Sequence, residues 1–320
     1  MTSSLGQDGL PGIKEIEDAS GQIAGVASRT PLVESTALSR LTGKQVFLKL
    51  ECFQPIKVFK IRGAYNKVSR VKERSVVAAS SGNHGIAVAY SSRLLGKKCT
   101  IVVPETAVQE KIEAIEDCGA SVVKAGRSSE EREDMAREIA RTDGSAFIHP
   151  FNDRDVIAGQ GTCGLEIVQQ LPDFDTVLVP VGGGGLISGV SIGLKGMGAA
   201  ARVVGVEPAV APKLTAALSA KRIVHVDPAG SIADGLIPSA LGELTYLACS
   251  KYVDAALTVS EEELMGATSV MVNKARIFAE PSGAATLAPL LSNKEGLGGR
   301  VVLVVSGGNV SRDVLRKVLA

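Results

Sequence analysis

Short runs of apolar, mostly β-branched residues alternate along this chain with longer segments in which apolar residues recur at helical spacing. Such runs are typical of strands, and the longer segments are typical of amphipathic helices. The predicted strands are Val46–Leu50, Val76–Ala79, Thr100–Val103, Ala146–Ile148, Val177–Val181, Val203–Val206, Ala255–Val259 and Val301–Val305. The predicted helices are Ile61–Lys72, Gly85–Leu95, Ala107–Cys118, Glu130–Arg141, Ala158–Leu171, Leu186–Gly196, Glu261–Ala279 and Val310–Leu319.

The alternation of strands and helices predicts an α/β fold of doubly wound, mostly parallel sheets. A chain of 320 residues is long enough for about two domains. Residues 74–149 carry strands and helices of their own, so we expect them to form a small inserted α/β domain. Residues 1–73 and 150–320 are then expected to form the larger domain.

The composition is typical of a folded globular protein and argues against several other classes of protein. Hydrophobic residues make up 45% of the chain and charged residues 22%, which excludes intrinsic disorder. Lys plus Arg number 35 and Asp plus Glu 34, so no basic excess indicates a nucleic-acid or membrane-surface partner. The apolar runs are far shorter than the ~20 residues of a membrane span. We therefore expect neither nucleic acid nor membrane as a partner.

The cysteines indicate a reducing compartment, and the spacing of the histidines argues against a zinc site. The five cysteines include no C-x-x-C pair, which argues against a disulfide framework. The three histidines are far apart and lie at no ligand spacing from a cysteine. Residues 1–12 lack the charged and apolar regions of a secretory signal. We expect a cytoplasmic protein.

Polar, glycine-rich loops follow three of the predicted strands. They are Ser80–Gly85, Gly182–Gly185 and Ser306–Asn309. A fourth motif, Val58–Ala64, opens the helix after the first predicted strand. Because ligands of open α/β sheets bind at the carboxyl ends of strands, these four segments are the candidate site.

The four consecutive glycines, Gly182–Gly185, predict a phosphate site. Residues without Cβ can turn several N–H groups toward one point, and the helix from Leu186 adds the positive end of its dipole. No Lys-Ser/Thr pair follows, as a P-loop requires, and the third position of a dinucleotide fingerprint falls on Ile187 or Ser188. Glu207 lies about 20 residues on, which keeps a nucleotide site as an alternative. A simple tight turn is the other.

Lys60 decides between these readings of the glycine loop. It is flanked by Phe59 and Ile61, and a desolvated Lys has a lowered pKa and can act as an amine nucleophile. A lone Lys in an apolar stretch is more often a surface residue. Together with a phosphate cradle, it predicts pyridoxal phosphate held on Lys60 as a Schiff base.

With these motifs in this order, the chain resembles the fold-type II pyridoxal-phosphate enzymes, the tryptophan-synthase-β-like superfamily. Within it, the chain is similar to the threonine/serine dehydratase and serine racemase group. The motifs that carry the resemblance are FKIRGA at 59–64, SSGNHG at 80–85, GGGGL at 182–186 and SGGN at 306–309, with secondary matches at 158–162, 233–235 and 280–281. The resemblance implies two α/β domains with the active site between them, and a homodimer.

The resemblance also implies roles at the cofactor. Lys60 would carry pyridoxal phosphate and then act as the base at the substrate Cα, Phe59 would pack on the ring, and Asn83 would bond its hydroxyl. Ser306 would face the ring nitrogen. The implied cofactor contacts are Phe59, Lys60, Asn83, Gly182, Gly183, Gly184, Gly185, Leu186, Gly235, Glu280 and Ser306.

A second set of residues is implied to hold the substrate. Ser81 matches the serine that serves serine racemase as acid/base on the face opposite Lys60; its alternative is a helix N-cap. Arg132 could bind a second carboxylate, or it is an exposed helix residue. The implied substrate contacts are Ser80, Ser81, Gly82, Asn83, His84 and Arg132.

Two departures from the group's pattern bear on function. Val58 stands where Ser or Thr usually precedes the Phe-Lys pair, which affects substrate preference. In serine racemase a divalent cation lies near the positions of Glu207, Ala211 and a third residue, normally Asp, which is Lys213 here. We therefore expect no metal site, and Lys213 could pair with Glu207 instead.

The resulting prediction is a pyridoxal-phosphate-dependent ammonia-lyase, or dehydratase. It would convert a small β-hydroxy amino acid, either L-threonine, L-serine or a 3-hydroxyaspartate-type substrate, to a 2-oxo acid and ammonium. An amino acid racemase that uses Ser81 is the alternative on the same scaffold. A nucleotide-dependent oxidoreductase and a non-catalytic ligand-binding module are the alternatives from other classes.

Overall fold

The computed structural model describes residues 9–126 and 128–319. The strands are β1 (Leu32–Glu34), β2 (Gln45–Lys49), β3 (Ser75–Ala79), β4 (Lys98–Val103), β5 (Ser121–Lys124), β6 (Ala146–Phe147), β7 (Thr176–Pro180), β8 (Arg202–Pro208), β9 (Ala255–Val259) and β10 (Arg300–Val304). The helices are α1 (Ile13–Gln22), α2 (Thr36–Thr42), α3 (Lys60–Arg70), α4 (Asn83–Leu94), α5 (Gln109–Glu116), α6 (Ser129–Asp143), α7 (Arg154–Gln170), α8 (Gly185–Gly196), α9 (Lys213–Ala220), α10 (Glu243–Tyr252), α11 (Glu261–Asn273), α12 (Pro281–Ala284), α13 (Ala288–Leu291) and α14 (Arg312–Leu319). Short 3-10 helices lie at Glu51–Phe53, Asp234–Leu236 and Ala285–Leu287.

The strands form two sheets, and the predicted α/β class with mostly parallel sheets is confirmed. The six-stranded sheet has the order β1-β2-β10-β7-β8-β9, and the four-stranded sheet has the order β5-β4-β3-β6. Every strand pair is parallel except β1 with β2. Residues 75–147 supply the four-stranded sheet, and the chain on either side of them supplies the six-stranded one.

The middle of the six-stranded sheet is buried on both faces, as its continuous apolar sequence indicates. Successive side chains of a strand point to opposite faces. In β10, Val301 and Leu303 pack into one hydrophobic cluster and Val302 and Val304 into the other. This burial fixes the position of the β10 carboxyl end, where one of the candidate loops begins.

Several elements do not follow the sequence pattern. β1 and β5 were not predicted, because both are short and lie at sheet edges; only two residues of β5, Val122 and Val123, carry the apolar signal. The helices α1, α2, α9 and α10, with the short α12 and α13, were also missed.

The predicted helix Glu261–Ala279 is too long, since α11 ends at Asn273. Arg276 adopts a left-handed φ of 60°, which an α-helix does not allow. Ile277 and Ala279 then pack into the core instead of continuing a helical face. Because the chain leaves the helix after Asn273, Glu280 lies beside the loop after β10, where its N–H donates to Gly307 O at 3.1 Å.

Candidate active site

Lys60 is the first residue of α3 and lies where the two sheets meet. The preceding residue, Phe59, donates its N–H to Ser306 O at 3.0 Å, so the loop after β10 holds the helix start. Lys60 Nζ donates to Pro150 O at 2.9 Å. Burial lowers the pKa of Lys60 to about 8, so much more of the amine is neutral near pH 7 than for an exposed lysine.

The glycine loop between β7 and α8 needs its glycines for separate reasons. A Cβ on Gly182 would lie 2.5 Å from Gly235 O, and a Cβ on Gly183 would overlap the ring of Phe151. Gly184 has a φ of +91°, which L-residues with side chains rarely adopt. The predicted site residues Gly182, Gly183 and Gly235 therefore lie together.

This loop and Lys60 fit pyridoxal phosphate. α8 begins at Gly185, and the first N–H groups of a helix have no acceptor within the helix, so those of Gly185 and Leu186 can bind a phosphate. Phe151, which packs on the loop, directly follows Pro150, which binds Lys60. Two consecutive residues thus contact both parts of the site, since Pro150 binds the desolvated amine and Phe151 packs on the anion-binding loop. A phosphorylated aldehyde needs both parts, an amine for its carbonyl carbon and an anion site for its phosphate.

Asn83 connects the two sheets at the other side of the site. It is the first residue of α4, and its Nδ2 donates to Glu280 Oε1 at 2.8 Å. Its Oδ1 accepts from Asn309 Nδ2 at 2.7 Å, so the orientation of the amide is fixed. Burial, with the nearby Asp234 carboxylate, raises the pKa of Glu280 to about 7. The predicted cofactor residues Asn83 and Glu280 therefore lie in direct contact.

The loop after β3 leaves Ser81 without a capping role. α4 begins at Asn83, and its N-cap is Gly82, which has no side chain to cap with. The N–H of Gly82 bonds instead to Ser80 Oγ at 3.2 Å. The alternative that Ser81 is the helix N-cap is wrong, and its role as a catalytic hydroxyl stays a prediction.

Two neutral imidazoles flank the Lys60 amine. His84 is buried and donates from Nε2 to Ile148 O at 3.0 Å; burial, with the Lys60 charge, lowers its pKa to about 3. His149 Nδ1 accepts the N–H groups of Phe151 and Asn152, and burial lowers its pKa to about 4. Neither ring is charged near neutral pH.

The segment 149–153 is part of the site that sequence reasoning missed. It contributes the carbonyl that binds Lys60 and the ring that packs on the glycine loop. Its signal was available, because it follows β6 at a strand carboxyl end. Its sequence, HPFND, has no glycine and matches no known motif, so it carries a weaker signal than the glycine-rich loops.

Arg132 lies in the first turn of α6, where its guanidinium donates to Ser129 Oγ at 2.9 Å. Burial lowers the pKa of this arginine. A contact of Arg132 with the substrate stays a prediction.

Glu207, near the carboxyl end of β8, and Lys213, the first residue of α9, form a fully buried pair. The Glu207 carboxylate accepts the N–H groups of Leu214 and Thr215, at 2.9 and 2.8 Å, and lies 3.6 Å from Lys213 Nζ. The predicted pairing of Glu207 with Lys213 is confirmed. Because its oxygens are used and buried, Glu207 cannot bind a ribose, and the nucleotide reading is wrong at this residue.

Lys213 also occupies the space around Glu207. Its ammonium donates to Ala211 O at 3.0 Å and to Leu236 O at 2.7 Å, so it is surrounded by the oxygen ligands that a hard cation would need. Within residues 9–126 and 128–319, no cluster of three or more His, Cys, Asp or Glu side chains could hold a metal ion.

We expect activity to be independent of divalent cations, because the Lys213 ammonium already neutralises Glu207. Chelation with EDTA and addition of Mg²⁺, Mn²⁺ or Ca²⁺ should leave both the turnover rate and the thermal midpoint unchanged. The Lys213→Asp variant is the comparison, since it replaces the ammonium with a second carboxylate and should gain a response to these ions. A fall in activity of the unmodified protein that Mg²⁺ or Ca²⁺ reverses would contradict this expectation.

Comparison with known proteins agrees with this geometry. Residues 23–307 match the family described as pyridoxal-phosphate dependent enzyme. The L-threonine ammonia-lyase of Thermotoga maritima is 40% identical over 96% of this chain and 78% of its own. The L-threo-3-hydroxyaspartate ammonia-lyase of Saccharomyces cerevisiae is 36% identical over 94% of each chain. The structure of maize serine racemase superimposes with a TM-score of 0.92 at 34% identity, over 96% of each chain.

Proposed function

The chain belongs to the pyridoxal-phosphate dependent enzymes, and from this premise we propose that it is an ammonia-lyase acting on a small β-hydroxy amino acid. The observation that carries the proposal is the Lys60 amine, whose pKa burial lowers to about 8 beside the glycine loop. Relatives that are named ammonia-lyases and cover most of both chains support the same reaction class.

The residues of the site have separate roles in this reaction. Pyridoxal phosphate, when bound, withdraws electrons from the Cα of the amino acid. Lys60 takes the Cα proton, since its amine is partly neutral near pH 7. The N–H groups of Gly182–Leu186 bind the phosphate, and the Ser80–His84 loop binds the substrate carboxylate.

The overall change conserves atoms without a further reactant. The Cα hydrogen and the β-hydroxyl leave as water. A second water then replaces the nitrogen, which leaves as ammonium, and the carbon chain is released as a 2-oxo acid.

We propose L-threonine, L-serine or a 3-hydroxyaspartate-type amino acid as the substrate. The test is a panel of these amino acids, assayed for 2-oxo acid, for ammonium and for the opposite enantiomer. Release of 2-oxo acid and ammonium in equal amounts supports the proposal. A panel that yields neither product from an enzyme with bound cofactor would overturn it.

Racemisation is the second candidate, because Ser81 is not needed to cap α4. If Ser81 moves a proton on the face opposite Lys60, Ser81→Ala should lower racemisation far more than elimination, by about 10²-fold or more. The unfolding free energy should change little. Ser80→Ala is the comparison, since Ser80 Oγ accepts the Gly82 N–H and its loss should disturb the loop for both reactions. Equal losses of both reactions in Ser81→Ala would count against the two-base role.

We further propose that the enzyme is a homodimer of the cytoplasm. All five cysteines are free, which suits a reducing compartment. Phe53 and Phe278 are more than half exposed, as apolar side chains of an interface would be in one subunit. Sedimentation equilibrium tests the dimer.

No helix within residues 9–126 and 128–319 has the length and hydropathy of a membrane span.

A further inference from the structure

Arg62 lies on the side of α3 that faces away from Lys60. Residues of an α-helix are about 100° apart, so Lys60 and Arg62 point about 200° apart around the axis. Lys60 reaches Pro150 in the site, whereas Arg62 has no exposed surface and reaches into the interior. The first turn of α3 therefore carries the reactive amine on the side that faces the site and a buried guanidinium on the opposite side.

The Arg62 guanidinium joins α3 to three other parts of the chain, the first of which is Ser28, whose carbonyl oxygen accepts at 3.2 Å. It donates to both carboxylate oxygens of Glu51, in the 3-10 helix after β2, at 2.7 and 2.8 Å. It also donates to both oxygens of Glu166 on α7, at 2.7 and 2.9 Å, and to Thr162 Oγ1 at 2.9 Å. This planar fork, paired with two carboxylates, permits only one orientation of the side chain.

Lys49 belongs to the same buried cluster but lies on β2. Its Nζ donates to Glu166 Oε2 at 2.5 Å, Thr30 O at 2.7 Å and Gln170 Oε1 at 2.9 Å. Two cations thus face the carboxylates of Glu51 and Glu166, and the cluster is neutral overall. A neutral cluster has little net field at Lys60, so its influence there is geometric.

The backbone of α3 also leaves no room for adjustment at this point. A Cβ on Gly159 of α7 would lie 2.5 Å from Arg62 O, so the two helices touch at their backbones. A shift of the Arg62 side chain therefore moves the first turn of α3 relative to α7. That turn begins at Lys60.

We propose that Arg62 is a positioning residue that fixes the Lys60 amine relative to the glycine loop by clamping the first turn of α3 between Glu51 and Glu166. The proposal rests on the function proposed above, in which Lys60 holds the cofactor. It assigns Arg62 no contact with cofactor or substrate.

The test compares Arg62→Met, Arg62→Lys and Lys49→Met in the full chain. Each variant removes or alters one cation of the same buried cluster, but only position 62 is on the helix of Lys60. Three quantities are measured: the midpoint of denaturant unfolding, the affinity for added pyridoxal phosphate from its Schiff-base absorbance, and kcat with KM. We expect all three variants to unfold at lower denaturant than the unmodified protein, because each disturbs buried charges.

Cofactor affinity separates positioning from general stability. We expect it to fall by about tenfold or more in both Arg62 variants and by less than about threefold in Lys49→Met, since small displacements of a reacting group are costly. Arg62→Lys keeps the charge but lacks the fork, so its failure to restore affinity identifies geometry as the cause. Near-normal affinity in Arg62→Lys, or equal losses in Lys49→Met, would overturn the proposal.

A milder pair covers variants that fail to fold. Thr162→Val removes one acceptor from Arg62, and Gln170→Leu removes one from Lys49. We expect a several-fold loss of cofactor affinity in the first only, and equal affinities would contradict the proposal. Absence of the Schiff-base absorbance in the unmodified protein would instead refute the proposed function, so the two failures are distinguishable.

Discussion

Replacing Lys60 with alanine should abolish turnover, with a loss of at least about 10³-fold, and remove the visible absorbance of the bound cofactor. Lys60 is the residue whose amine lies beside the glycine loop with a pKa lowered by burial to about 8. The loops Ser80–Gly85, Gly182–Gly185 and Ser306–Asn309 contain no lysine. The measurement is 2-oxo acid release together with an absorbance scan before and after borohydride reduction.

The fold should survive this change, because among the described residues it removes only the hydrogen bond of Lys60 Nζ to Pro150 O and a contact with the Phe59 ring at 5.2 Å. Circular dichroism and the unfolding midpoint check this. Lys72→Ala is the matched control, since Lys72 is exposed just beyond the end of α3, and it should keep full activity and colour. Substantial turnover by Lys60→Ala without an added amine would mean that the proton of Cα goes to another group.

Replacing Gly183 with alanine should weaken cofactor binding by about 10²-fold, because the loop must move away from the phosphate. The new Cβ would overlap the Cδ1 and Cε1 atoms of the Phe151 ring. The ring is held in turn by an edge-on contact with His149, at 4.6 Å between centroids, so it cannot retreat freely. Overpacking of this kind also costs about 1–3 kcal/mol of stability. Titration with pyridoxal phosphate and denaturant unfolding measure the two effects.

Two further variants show whether the clash is the cause. Gly230→Ala adds the same methyl group where nothing lies within 4 Å, and it should change neither affinity nor stability. Phe151→Leu, added to Gly183→Ala, reduces the ring that the methyl group meets and should recover part of the lost affinity. If Gly183→Ala binds the cofactor normally, the loop does not hold the phosphate in the way proposed here.

The sequence by itself determined the fold class and the centre of the site. The apolar runs of β3, β7 and β10 are long and uniform enough to be read without tertiary information, because burial on both faces leaves little room for polar residues. Parallel strands bring their carboxyl ends to one edge, so the loops after these strands were expected near Lys60. The contacts of Phe59 with Ser306 and of Asn83 with Asn309 place them there.

Only the tertiary structure decided which neighbours these residues have. Pro150 at Lys60, Phe151 at Gly183 and Glu280 at Asn83 are separated from their partners by 32 to 197 positions of the chain, and no local pattern records such pairs. The pKa shifts of the site also depend on distant segments. Atoms of those segments bury Lys60 and Glu280, which lowers the pKa of Lys60 and raises the pKa of Glu280.

The same limit explains two charged residues whose burial the sequence did not indicate. Arg62 has no role in the sequence reading, and only the family resemblance suggested that Lys213 pairs with Glu207; the structure buries both cations fully. Each is tolerated inside because carboxylates and carbonyls from other elements surround it, at Glu51 and Glu166 for Arg62 and at Glu207 for Lys213. The period of a hydrophobic pattern follows from the geometry of one helix or strand, so it can be read along the chain. The pairing of buried charges arises between elements, and only the assembled fold specifies it.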